Sequence, residues 1–153
     1  MLFRFQSCGT HKELRGQIVA HFPSCRFELV RGNHDILSEQ QYRRKGILVK
    51  EKDEIDSLLL THELLDRAAI PKGRTNIAGH IHPGARLLGK GRQSLIFPCF
   101  WQMKNQMILP AFGSFTGFAQ VRPSESDRIF IIVEDKLAEI VPGQKNNQQR
   151  MTQ

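Results

Sequence analysis

Apolar positions follow one pattern in the first half of this chain and another in the second. Leu14, Ile18, Val19 and Phe22 fall on one side of a helix that ends near Phe22, where Pro23-Ser24 closes it. Thr10-His11-Lys12-Glu13 forms a capping box at its start, with Thr10 and Glu13 able to satisfy first-turn amides reciprocally. Arg26 to Val30 reads as a short strand running into the polar loop Arg31-Gly32-Asn33-His34-Asp35. Ser38, with Gln41 three residues on, predicts a helix to Lys45 that Gly46 stops. Ile47 to Val49, Ser57 to Leu60 and Thr75 to Ala78 are predicted strands, and His62 to Ala69 a helical turn. From Ala85 onward short apolar runs alternate with Gly, Pro and Asn turns. They predict strands over Ala85 to Leu88, Ser94 to Phe100, Gln106 to Leu109, Phe118 to Val121, Arg128 to Val133 and Lys136 to Ile140.

This order, mixed helix and strand followed by a β-meander, predicts one α/β (or α+β) domain with two packed sheets over residues 1–141. Residues 142–153 are rich in Gln, Asn and Lys with almost nothing to bury, which predicts a polar, disordered tail. Of the 153 residues, 40% are hydrophobic and 24% charged, as in ordinary globular domains. No apolar run is long enough to cross a bilayer, and Met1 to Phe5 opens no signal peptide, so a cytoplasmic chain is expected. Three cysteines without a C-x-x-C pair argue against a disulfide framework or a thiolate zinc site. Reduced, mostly buried thiols are expected, with Cys99 inert in its apolar setting. The net charge of +7 favours a polyanionic partner without specifying one.

The candidate chemistry lies in three histidine-bearing segments at predicted strand ends. In Gly32-Asn33-His34-Asp35, Asn33 offers a neutral hard oxygen, and His34 an imidazole suited to proton transfer near neutrality. Asp35 is suited to orient a histidine. The same segment also suits a simple turn. Thr61-His62 ends a second strand. In Gly79-His80-Ile81-His82, extended backbone would point both rings to one side. A hard oxygen with several imidazoles suits Mn²⁺, Fe or Zn²⁺ better than Ca²⁺. Two such ions about 3.5–4 Å apart can grip a phosphoryl oxygen and an attacking hydroxide. His11 and His21 read as surface or helix-end histidines.

Gly32-Asn33-His34-Asp35, Thr61-His62 and Gly79-His80-Ile81-His82, in that order and spacing, resemble the later half of the calcineurin-like metallophosphoesterase signature. Pro98-Cys99-Phe100-Trp101 and the stretch from Leu109 to Gly117 are similar to one bacterial subfamily, the ligase-associated DNA-damage-response endonucleases. The resemblance covers roughly Lys12 to Ile140. It implies two mixed sheets packed as a β-sandwich flanked by helices. It implies that Asn33, His62 and His80 ligate one metal, that His82 ligates another, that His34 is the general acid, and that Asp35 is a supporting residue. It further implies a DNA phosphodiester substrate, Mn²⁺ as cofactor with Fe, Zn²⁺ or Ni²⁺ as substitutes, and DNA-repair partners.

The family begins with a strand bearing Asp-x-His and another ending in Gly-Asp. No Asp precedes Asp35 here, so the first strand–helix–strand is expected to be lacking. Without those carboxylates, two facing dications repel with little to offset them. Weak binding of one metal and little hydrolysis are then expected, and unpaired sheet edges favour homo-oligomers. The competing readings are an inactive remnant that binds nucleic acid or a partner, and a phosphoesterase acting on nucleotides or phosphoproteins.

Overall fold

The computed structural model describes residues 21–22, 24–88, 93–111, 117–134, 136–140 and 150–151. The capping box at Thr10 and most of the expected first helix lie outside them, as do Cys8, Phe112, Phe115 and most of the stretch 142–153. Strand β1 (Phe27–Val30) pairs in parallel with β2 (Ile47–Lys50), and helix α1 (Glu39–Arg43) lies in the crossover between them. Ser38 caps α1 as expected. Its hydroxyl accepts from the Gln41 amide while the Gln41 side chain accepts from the Ser38 amide. Phe27, Leu29, Ile47 and the fully buried Tyr42 form the core of this unit.

The large sheet starts with the hairpin β3 (Lys52–Ile55) and β4 (Leu58–Thr61). Beside β4 runs β5 (Thr75–Ala78), parallel to it, and β8 (Gln106–Ile108) is parallel to β5 in turn. Strand β7 (Ser94–Met103) continues the sheet antiparallel to β8, followed by β10 (Arg128–Val133) and β11 (Lys136–Ile140). Two further strands, β6 (Pro83–Leu88) and β9 (Ala119–Gln120), attach through the first half of β7. Pro98, which has no amide proton to give a ladder, marks the change of partner. Up to Pro98 the strand pairs with β6, and from Cys99 it pairs with β10 and then β8. The two sheets that share β7 enclose Ala85, Cys99, Ile129, Ile131 and Ala138. This is the two-sheet, mixed α/β architecture expected from the sequence.

Several boundaries differ from expectation for identifiable reasons. Strand β3 was not foreseen, because Lys52-Asp53-Glu54 offers no apolar alternation. Its Asp53 is buried by salt-bridging Lys50, which also bridges Glu28. The turn expected over His62 to Ala69 narrows to a 3-10 turn at Arg67–Ala69, because side chains take up the backbone groups before it. The second half is not a continuous meander: β9 runs parallel to β6, and β10 returns to β7. Within 142–153, Arg150–Met151 pairs with β11 as strand β12.

Cys99 is fully buried, and desolvation pushes its thiol up to about 12. Cys25, against the expectation of mostly buried thiols, is exposed. Alkylation of the native chain at pH 8, mapped by mass spectrometry, should modify Cys25 readily and reach Cys99 only in denaturant.

Candidate metal centre

The three histidine-bearing segments leave the C-terminal ends of β1, in the small β1–β2 sheet, and of the parallel pair β4 and β5 in the large one. Open sheets of parallel strands commonly place ligands at such ends. After β1, Asp35 accepts from the Gly32 amide (2.8 Å) and from the hydroxyl of Tyr42 (3.3 Å). The Asp35 amide in turn donates to the Gly32 carbonyl (3.0 Å). Asp35 thereby ties the loop to the core and leaves Asn33 and His34 exposed at its tip.

After β4, the loop bearing His62 is fixed by buried polar side chains. Asn76, fully buried on β5, donates to the Leu59 carbonyl (3.0 Å) and the Thr61 hydroxyl (2.8 Å), and its Oδ1 accepts from the Leu65 amide (3.1 Å). Gln106 on β8 donates to the Leu65 carbonyl (2.7 Å) and accepts from Arg67 (3.2 Å). Thr61 Oγ1 donates to the Glu63 carbonyl at 2.6 Å.

After β5, the Gly79 amide donates to the His62 carbonyl (3.1 Å), joining the second and third segments. The Ile81 amide donates to the Gly79 carbonyl (2.8 Å), a three-residue turn centred on His80 at φ 67°. His82 also adopts positive φ, 49°. Left-handed backbone costs a non-glycine residue roughly 1–2 kcal/mol, and such strain is characteristic of functional sites. The expectation that extended backbone aligns the two rings therefore fails, since neither residue is extended.

The side chains of Asn33, His62 and His80 converge. Asn33 Oδ1 lies 2.8 Å from His62 Nε2, and His80 Nδ1 lies 3.0 Å from the same nitrogen. One ligand atom from each of His62, Glu63 and His80 lies within 4.8 Å of the others, the group among the described residues suited to a metal ion. His82 is half-buried and outside that group, and its carbonyl accepts from the Ala119 amide (3.0 Å). Gly32 is required by close approach: a Cβ there would stand 2.6 Å from Cε1 and 2.7 Å from Nδ1 of His62. Gly32→Ala is expected to push that ring off Asn33 and His80, at about 1–3 kcal/mol of stability. Urea denaturation checks the cost, and Mn²⁺ titration the displaced ring.

The donor set fits a divalent cation. His62 Nε2 carries at most one proton, yet an amide oxygen and a second ring nitrogen both approach it. The Asn33 amide also points at it from 3.4 Å. The lone pairs of Asn33 Oδ1, His62 Nε2 and His80 Nδ1 are close enough together to share one cation. Two imidazoles and an amide oxygen, with the Glu63 carboxylate nearby, form the mixed N/O set that Mn²⁺, Fe²⁺ or Zn²⁺ accept.

No family model matches the chain, and no curated protein matches it. Among solved structures, it is similar to the Pseudomonas putida nuclease MPE, with 26% identity over 81% of this chain and a TM-score of 0.64. The chain shares its fold with that nuclease. It spans 58% of that nuclease's length.

Glu63, Asn76 and Gln106 were not foreseen as parts of this site. Asn76 and Gln106 left one signal. Each is a polar residue near the start of a short strand whose following positions are apolar, in Thr75-Asn76-Ile77-Ala78 and Gln106-Met107-Ile108. Glu63 gave none beyond standing next to His62.

Proposed function

We propose that this chain is a metal-dependent phosphoester hydrolase that acts on nucleic-acid phosphodiesters. The observation that carries the reading is the meeting of Asn33, His62 and His80 at the ends of β1, β4 and β5. Their neutral N/O donor set accepts Mn²⁺, Fe²⁺ or Zn²⁺, and the family resemblance favours Mn²⁺. A bound divalent cation would polarise a phosphoryl oxygen and lower the pKa of water. Asn33, His62 and His80 would hold and orient that cation. His34, exposed one residue beyond Asn33, is assigned the proton that passes from its imidazolium to the leaving oxygen. The assignment of His82 to a second cation rests on the family resemblance alone.

The nuclease neighbour and the net charge of +7 support a nucleic-acid substrate. A role in DNA repair, with repair proteins as partners, follows from the subfamily resemblance. The test is Mn²⁺-stimulated cleavage of bis(p-nitrophenyl) phosphate and of single-stranded DNA by the parent chain and by His80→Ala. Weak Mn²⁺-stimulated cleavage by the parent and its loss in the variant are expected; equal cleavage by both contradicts the reading. A second reading is a nucleic-acid-binding module without turnover, which the net charge of +7 favours. DNA binding that weakens steeply with salt, without Mn²⁺-stimulated cleavage, would select it.

A further inference from the structure

Glu63 stands beside the three converging donors, and its Oε1 lies 3.9 Å from Nε2 of His80. The two nitrogens of the His80 ring thus face different neighbours. Nδ1 points into the cluster, 3.0 Å from His62 Nε2, while Nε2 faces the carboxylate. An imidazole that ligates a cation through one nitrogen carries its proton on the other. A carboxylate on the protonated side fixes the tautomer and ring orientation and raises the basicity of the ligating nitrogen.

His80 needs such a restraint more than a strand residue would. Its backbone sits at φ 67°, so no strand alternation directs its ring. The ring meets His62 edge-on, with centroids 4.8 Å apart and planes at 74°. A 180° flip keeps much the same outline but exchanges Nδ1 for a carbon. Charge on the Nε2 side distinguishes the two orientations. Glu63 is placed to supply it, because Thr61 Oγ1 holds its carbonyl and Asn76 Oδ1 holds the Leu65 amide two residues on. At 3.9 Å the contact is longer than a hydrogen bond and acts by charge attraction or through one water.

We propose that Glu63 is a positioning residue whose carboxylate holds the Nε2–H of His80 and so presents Nδ1 to the cation shared with Asn33 and His62. This rests on the metal-site reading above. The test uses the full chain, Glu63→Gln and Glu63→Ala at one neutral pH. It has two readouts: ¹⁵N shifts of the His80 ring without metal, assigned by their loss in His80→Gln, and Mn²⁺ affinity by calorimetry. The parent is expected to show the Nε2–H form predominantly and Glu63→Ala a tautomer mixture, with Mn²⁺ binding about 2–5-fold weaker, since the Glu63 carboxylate is largely exposed. Glu63→Gln, which keeps an acceptor without the charge, should fall between. Unchanged ring shifts in Glu63→Ala overturn the proposal, as does unchanged Mn²⁺ affinity when the shifts move. A parent chain that takes up no Mn²⁺ sinks the metal-site reading, and the ring shifts then decide by themselves whether Glu63 orients His80.

Discussion

Asn76→Ala is expected to destabilise the chain by about 3–5 kcal/mol, among the largest effects of any single substitution. Asn76 is fully buried and makes three hydrogen bonds, to the Leu59 carbonyl, the Thr61 hydroxyl and the Leu65 amide. Truncation leaves the buried Leu59 carbonyl and the partly buried Leu65 amide without it, at about 1–3 kcal/mol for each unsatisfied group, and opens a cavity as well, while the Thr61 hydroxyl keeps its bond to the Glu63 carbonyl. Thr61→Val removes the bond from Asn76 and the bond to the Glu63 carbonyl but opens no cavity, and should cost less, about 1–3 kcal/mol. The consequence reaches the site, because this network holds the loop on which His62 and Glu63 stand. Urea denaturation of the two variants checks the ratio, and a loss below about 1 kcal/mol for Asn76→Ala would show the network to be dispensable.

His62→Ala should separate stability from metal binding. Its Nε2 is the atom that both Asn33 Oδ1 and His80 Nδ1 approach, so the substitution removes the centre of the donor set. Mn²⁺ affinity is expected to fall by on the order of 100-fold or more, beyond the 10–100-fold typical of outer-shell partners. Without metal, the half-buried ring leaves little packing to lose, and the change should stay within about 1 kcal/mol. A ligand that binds only the folded state stabilises by about 2.7 kcal/mol at one hundred times its dissociation constant. At that Mn²⁺ concentration the parent should gain about this amount and His62→Ala almost none. Denaturant titrations with and without Mn²⁺ read the difference; an equal gain in both places the cation elsewhere.

The elements with strong local signals were legible in the sequence. The capping box at Ser38 and Gln41, the strand Arg128–Val133 and the strand Thr75–Ala78 form where patterning places them. Strand β3 was hidden because its burial depends on the Lys50–Asp53 ion pair, a tertiary contact invisible to periodicity. The donors Asn33, His62 and His80 could be picked out because each follows a strand end. The way His80 reaches the cluster could not. Left-handed backbone at a histidine is imposed by the Gly79–Ile81 turn and by the tie from Gly79 to His62. Gly32 reads in sequence as a turn glycine, but its place is set by the His62 ring lying against it. Glu63 and Asn76 owe their roles to neighbours brought near only by the β4–β5 pairing.

Crystals of the chain soaked in Mn²⁺ and measured at the manganese absorption edge test the central claim most directly. An anomalous peak about 2.0–2.2 Å from Asn33 Oδ1, His62 Nε2 and His80 Nδ1 is the predicted result. Manganese bound only at other side chains, with these three still in mutual contact, would contradict it.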